Sequence, residues 1–385
     1  MYLKSNIKSE CSGCGACSNV CSKGAITMQQ DEEWGHFYPL IDNEKCVNCN
    51  LCQKVCPSED IVYTSSFCKK AYVGKSSDSD QSASGGGLGV LSELLASNGY
   101  IVYGVKYDEN LNVIHDCATT IDECKPFRKS KYVQSFTNKC YSKIADDLKK
   151  NHKVFFTGVS CQCEALIKYL AVKRITINNL VIANILCHGV TKKKMFDTYR
   201  KEQEQKLGKR IVTYQFRNKK QYRGKINSRT AEIIYSDASS KIVGIKDDAF
   251  LSFYYRRLGY RPSCYECRFT VQQRVSDLTF ADAWNYEKVN PKYDPVSGVS
   301  LMLANTNKGL SIIELLHNVI KFDEIPNEWA MNSQGLFKHP TSIHPHNKDF
   351  YSIYKKKGFE KAVFSITQPN IFSRLINKIK KIIQL

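Results

Sequence analysis

At 385 residues the chain exceeds what one compact core usually serves, so two or three modules are expected. A composition of 42% hydrophobic and 24% charged residues with ten prolines excludes collagen-like and wholly disordered classes. The formal charge of +19 points toward nucleic acid, but the lysines and arginines are scattered and no basic helix faces interleaved aromatics, so no nucleic-acid partner is expected.

No run of eighteen apolar residues lacks a charge, and the segment MYLKSNIKSECSGC lacks the apolar core of a secretory signal. A cytoplasmic protein is the expectation. In that reducing compartment, seventeen cysteines imply metal ligation more readily than a disulfide framework.

In chain order, residues 1–60 form a first module carrying a short duplication: Cys11, Cys14, Cys17, Cys21 recurs as Cys46, Cys49, Cys52, Cys56. The stretch KSSDSDQSASGGG at 75–87 has linker composition, yet a helical pattern follows at Leu88–Ala96 and a β-rich run at 100–107, so the glycines stand at a helix entrance. Beyond it, KVFFTG at 153–158, a helical CQCEALIKYL and NLVIANILC at 179–187 alternate as in an α/β domain with a largely buried sheet. TYQFRN, AEIIYS, SDLTFADAW and SLMLANTNKG read as further strands, and SIIELLHNVI as a helix. The predicted fold is therefore a small α+β module followed by an α/β domain over about 61–365, with parts near 68–150 and 151–340. Residues 366–385 put Phe372, Leu375, Ile376, Ile379, Ile382 and Ile383 on one face of a basic amphipathic helix. Such a helix either touches an anionic membrane surface peripherally or covers the protein's own core.

The spacing C-x2-C-x2-C-x3-C, closed by Pro57 in the second copy, is the bacterial two-cluster ferredoxin run. Three cysteines on a tight loop cap three irons of one cubane, and the fourth reaches the other cluster. The expected sets are Cys11, Cys14, Cys17 and Cys56 for one [4Fe-4S] cluster, and Cys46, Cys49, Cys52 and Cys21 for the other. Ser22 stands where proline is common and removes no ligand. Cys161, Cys187, Cys264 and Cys267 follow strand ends or form C-x2-C. On spacing alone they fit a third cluster, a zinc site or structural thiols. Three cubanes, each about −2 with its thiolates, would offset roughly six positive charges.

Ser84, Gly85, Gly86 and Gly87 offer bare backbone to a phosphate, although the segment matches neither a Rossmann nor a P-loop pattern. With SGGGLGVLSELL at 84–95, KSKYVQS at 129–135, TGVSCQCEAL at 157–166, LCHGV at 186–190, SDLTFADAW at 276–284 and GVSLMLANTNKG at 298–309, the chain resembles the coenzyme F-420 hydrogenase/dehydrogenase beta-subunit family preceded by a two-cluster ferredoxin domain. The resemblance implies FAD, with Ser84–Gly87 at its phosphates, Lys131, Tyr132, Gln134 and Ser135 along it, and Thr157, Gly158 and Gln162 beside it. It also implies that Cys161, Cys187, Cys264 and Cys267 ligate a third [4Fe-4S] cluster. Ser160 and Ala281 depart from the residues usual at those positions. His188 is a candidate proton donor, with a structural role the alternative. Asp277 and Asp282 are candidates to orient ligand, or else cap turns. The expected function is an iron–sulfur flavoprotein oxidoreductase linking a ferredoxin-like or reduced-deazaflavin donor to an organic substrate. The alternative is an electron-transfer subunit whose substrate site lies on a partner. The sequence specifies no oligomeric state.

Overall fold

The computed structural model describes residues 1–32, 35–59, 67–226, 229–293 and 298–368. The amphipathic segment expected at 366–385 lies almost wholly outside them.

The first module holds a hairpin of β1 (Ile26–Gln30) and β2 (Phe37–Ile41), with short helices at Ala16–Val20 and Leu51–Lys54 packed on each other. Its small core of Ala16, Val20 and Val55 is not closed on itself. These residues join Tyr141, Ile144, Ala165, Leu166 and Tyr169 of the following domain in one apolar cluster.

That domain is built on an eight-stranded mixed sheet. Its strands are β3 (Lys70–Lys75), β4 (Tyr100–Tyr107), β5 (Val113–Ala118), β6 (Lys153–Val159) and β7 (Leu180–Ile185), then β13 (Leu278–Asp282), β14 (Ser300–Ala304) and β15 (Lys321–Ile325). Between them come β8 (Ile211–Phe216), β9 (Gln221–Tyr222), β10 (Lys225–Ile226), β11 (Thr230–Tyr235) and β12 (Ser240–Gly244), which lie outside it. The large sheet runs β15-β3-β14-β13-β7-β6-β4-β5, parallel from β13 through β7 and β6 to β4 and antiparallel elsewhere. The parallel strands are buried on both faces, which is why VFFTG and LVIAN read as unbroken apolar runs rather than alternations. Helix Ser160–Val172 covers one face through Ala165, Leu166 and Leu170. Helices Gly87–Ser97 and Asn307–Glu314 cover the other through Leu91, Leu95, Ile312 and Ile313.

β8, β11 and β12 form a separate antiparallel sheet. Its aromatic core of Tyr199, Tyr214, Phe216, Phe250, Phe253 and Phe359 packs the helices Lys193–Leu207, Ala249–Tyr255 and Phe359–Thr367. Strands from before and after residue 150 alternate within the large sheet, so it ties the two expected parts of the domain together.

Candidate functional site

The carboxyl ends of the central parallel strands converge, as crossover topology requires. β6 runs directly into the helix that begins at Ser160, placing Cys161 in its first turn, and Cys187 lies two residues beyond β7. Cys264 sits on the short helix Pro262–Tyr265, and Cys267 follows it. All four thiols line one cavity of about 350 Å3. Burial pushes Cys187 up to about 12 and Cys264 up to about 11, and drives Cys161 well above the ordinary thiol range. The neighbouring thiols add to each shift. Four such groups are held as thiolates only when a cation compensates them, as a bound metal centre would. Gly189 closes the Cys187 turn at φ +131°, and its N–H donates to Cys187 Sγ at 3.3 Å. A Cβ there would meet the Tyr260 ring at 2.4 Å.

The glycine segment faces the same cavity, where Ser84, Gly86 and Gly87 line the wall and Gly86 adopts φ +87°. Gly85 is different. It is not part of the lining, and a Cβ there would fall 2.4 Å from Ser300 N and 2.5 Å from Gly74 O, so its missing side chain serves sheet contact. The loop before it is fixed: Ser84 Oγ donates to Val299 O at 2.9 Å, and Lys219 Nζ donates to Ser79 O and Ser84 O at 2.5 and 2.7 Å. The linker-like composition thus encodes buried turns, with Ser76, Ser79 and Ser82 all inside.

Lys131, Tyr132, Gln134, Ser135, Thr157, Gly158, Gln162 and His188 also line the cavity. Lys131 Nζ donates to Pro126 O and Arg128 O, both at 2.7 Å, and burial lowers its ammonium to about 7. Tyr132 stacks on Tyr254 at 3.9 Å. Gln162 Nε2 donates to Ser135 Oγ at 2.9 Å while its Oε1 accepts from Val159 N–H, so this side chain pins the β6 turn to the 129–135 segment. Thr157 Oγ1 is occupied by Tyr103 O at 3.1 Å. Gln134 is turned the other way: its Nε2 donates to Ser12 O and Gly13 O of the first module. His188 is an exposed residue on the cavity lining, its carbonyl accepts from Thr341 Oγ1, and its imidazole is lowered from the usual value, first by desolvation. Asp277 accepts from Ile182 N–H and Thr306 Oγ1 and is structural. Asp282, by contrast, pairs on the cavity wall with both terminal nitrogens of Arg217 at 2.5 and 2.9 Å. Trp284, exposed, stacks against that guanidinium. Neither Arg217 nor Trp284 stands out in the sequence; Arg217 is one of 56 basic residues.

In the first module Cys11, Cys14, Cys17 and Cys56 ring a second, smaller cavity walled by Leu3, Met28, Pro39 and Pro57. The fourth thiol comes from the second copy of the motif, so the crossing expected from spacing is present in the geometry. Cys46 and exposed Cys49 lie on the loop that runs into the helix Leu51–Lys54, which carries Cys52. Cys21 follows the helix packed on the one carrying Cys52. Among the described residues no three His, Cys, Asp or Glu side chains converge on a point as one bare ion demands. The thiols stand around voids instead. Ser12 and Ser58 line both cavities, which makes the two cavities neighbours.

The sequence model described as the C terminus of the coenzyme F420 hydrogenase/dehydrogenase beta subunit matches residues 151–328, and a 4Fe-4S dicluster domain matches residues 10–59. Residues 151–328 thus belong with the C-terminal region of F420 hydrogenase/dehydrogenase beta subunits, and a dicluster ferredoxin domain lies in front of them. It is 26% identical over 165 residues to a subunit of the F(420)H(2) dehydrogenase of Methanosarcina mazei, covering 40% of this chain and 47% of that one. It thus spans about half of that relative's length. An uncharacterized ferredoxin of Methanocaldococcus jannaschii is 40% identical over 55 residues, 14% of this chain and 69% of the ferredoxin. Among solved structures, the F420-reducing [NiFe] hydrogenase complex of Methanosarcina barkeri contains a chain similar to this one at a TM-score of 0.46 and 15% identity, over 77% of this chain and 90% of that one. The family is one of oxidoreductases, and the dicluster domain makes this an iron–sulfur protein. No described helix is long and apolar enough to cross a membrane.

Proposed function

We propose that this chain is an iron–sulfur flavoprotein that carries electrons from a low-potential donor, through the ferredoxin domain and a third cluster, to FAD and on to an organic substrate. The observation that carries the reading is that Cys161, Cys187, Cys264 and Cys267 line the same cavity as the glycine segment. A cluster and a flavin would share that space.

Cys11, Cys14, Cys17 and Cys56 would hold the inner ferredoxin cluster, Cys46, Cys49, Cys52 and Cys21 the outer one. Cavity-lining Gly86, Gly87 and Leu88 bring the N-terminus of an eleven-residue helix to the wall, where its dipole favours an anion, while Gly87 N–H itself donates to Ser300 Oγ at 3.2 Å. Lys129, Arg217 and Arg268 line the same space against Glu266 and Asp282, with Lys131 lowered to about 7 and Arg128 already paired with Glu93, leaving a small excess of positive charge that suits a pyrophosphate. The volume falls within the range of cofactor pockets, roughly 300–1,000 Å3. When bound, FAD would supply the exchange between single electrons and a hydride. Around it Tyr132 offers an aromatic face, Gln162 fixes the loop, and His188 presents an imidazole nitrogen from which a proton can be given or taken. Exposed Cys49 places the outer set where a soluble carrier such as a ferredoxin, or a deazaflavin-dependent partner, can reach it.

The test is anaerobic reduction of the purified chain by reduced ferredoxin or reduced deazaflavin coenzyme. Bleaching of bound flavin, followed by reoxidation with an organic acceptor in multiple turnovers, supports the enzyme. Bleaching without turnover assigns the substrate site to a partner, and no bleaching defeats the reading.

A further inference from the structure

The two neighbouring thiol sets belong to different modules, and a buried arginine spans the seam between them. Arg261 is fully buried, and every guanidinium nitrogen has an acceptor. Nε donates to Cys11 O at 2.5 Å, Nη1 to Gln134 Oε1 at 2.9 Å and Nη2 to Phe37 O at 2.9 Å. The charge lies over the Tyr38 ring, 4.3 Å from its centroid. Cys11, Phe37 and Tyr38 are in the ferredoxin domain. The backbone of Arg261 is bonded to the other side: its N–H donates to Val190 O at 3.0 Å, three residues after Cys187, and its carbonyl accepts from Cys264 N–H at 2.8 Å.

One residue is therefore bonded to the loop of the first inner-set cysteine and to loops carrying two cysteines of the cavity set. The fit leaves no slack. Gly13, between Cys11 and Cys14, has φ +69°, and a Cβ there would fall 2.2 Å from Gln134 Nε2 and 2.7 Å from Arg261 Nη1. Thr137 Oγ1 and Tyr141 Oη donate to Cys14 O at 2.9 and 3.1 Å, and Lys168 Nζ donates to Cys56 O at 2.9 Å. Tyr141 Oη also reaches Gln162 O at 3.4 Å, beside Cys161, and Arg268 Nη1 donates to Ser58 O, but Arg261 is the one of these whose charged fork bonds three separate acceptors.

We propose that Arg261 is a positioning residue that sets the spacing and orientation of the inner ferredoxin cluster relative to the cavity cluster. This rests on reading both thiol sets as cluster sites. The step served is a single-electron transfer in which one cluster is oxidised and its neighbour reduced, with no bond or proton moved. A planar fork is required because three acceptors lie in three directions; a lysine, with one compact ammonium, keeps the charge and loses the geometry.

The experiment compares the full chain with Arg261→Lys, Arg261→Gln and Gln134→Leu, all purified anaerobically and reduced with dithionite. Electron paramagnetic resonance reads magnetic coupling between neighbouring reduced clusters, and hydrogen exchange reads residues 10–17 and 36–39. The expected result is parental iron content in all three variants. Both Arg261 variants lose the coupling and exchange at least tenfold faster in both segments, with Gln134→Leu showing a smaller change. Parental coupling and exchange in Arg261→Gln overturn the proposal. So does full retention in Arg261→Lys, which would mean that charge alone suffices. Iron loss in both Arg261 variants would assign a folding role and also overturn it. If the parent lacks a third cluster, the functional reading fails on its iron content, while hydrogen exchange still decides whether Arg261 holds the seam.

Discussion

Arg217 and Asp282 join the second sheet to the end of β13, and their substitution tests whether the cavity wall is held by this pair. Arg217 is 9% and Asp282 19% exposed in their side chains, so little water screens the two bonds between them. Removing one partner of a buried pair costs about 3–5 kcal/mol, because the other charge stays behind unpaired. The partial exposure of Asp282 places Arg217→Met near the lower end, about 3 kcal/mol. With a urea slope of about 3 kcal/mol per M, the midpoint falls by about 1 M. Asp282→Leu has a comparable effect. The double variant, which leaves no orphan charge, loses no more than either single, about 3 kcal/mol rather than about 6, a coupling energy of about 3 kcal/mol. Urea unfolding under anaerobic conditions, followed by far-ultraviolet circular dichroism, measures all four proteins. Additive single effects, or an Arg217→Met midpoint within about 0.2 M of the parent, would show that the bond is incidental.

Gly85→Ala drives a Cβ into two backbone atoms and is expected to unfold the loop or cost more than about 3 kcal/mol, whereas Gly99→Ala, at φ +78° with nothing within 4 Å, costs about 1 kcal/mol; urea midpoints distinguish them. His115 is buried against Phe156, and burial lowers it from 6.5 to about 4. The unfolded chain therefore binds this proton more tightly, so stability is unpenalised above 6.5 and falls as pH drops from 6.5 toward 4, by about 2 kcal/mol at pH 5. His115→Phe should lose that part of the pH dependence between pH 7 and 5, and an unchanged slope would exclude the assignment. Cys264→Ser should remove about four irons per chain, while Cys68→Ser and Cys117→Ser remove none; equal loss in all three would mean nonspecific damage.

Much of this architecture is legible in the chain because buried parallel strands cannot disguise themselves: VFFTG and LVIAN have no polar face to alternate with. Strand order is not legible. β3 inserts between β14 and β15, a pairing set by contacts more than two hundred residues apart. The set Cys11, Cys14, Cys17 and Cys56 is expected from spacing because three cysteines on one tight loop leave the fourth place to the other copy, and the structure gathers these four around one cavity. The cavity set comes from three distant segments, so spacing alone leaves it open and the resemblance supplies it. The three glycines look alike in sequence, yet Gly86 needs its φ, Gly85 needs room against the sheet, and only the folded backbone separates those needs. Arg261 carries no local signal at all. It is an arginine before proline until Cys11, Phe37 and Gln134 are brought around it.

The most direct test of the central claim is quantitation of iron, acid-labile sulfide and flavin in the chain purified without oxygen. About twelve irons, as many sulfides and one FAD per chain are expected, from three cubanes and one flavin. Eight irons without flavin would leave a ferredoxin domain beside an unrelated cavity, and a colourless zinc protein would contradict the account altogether.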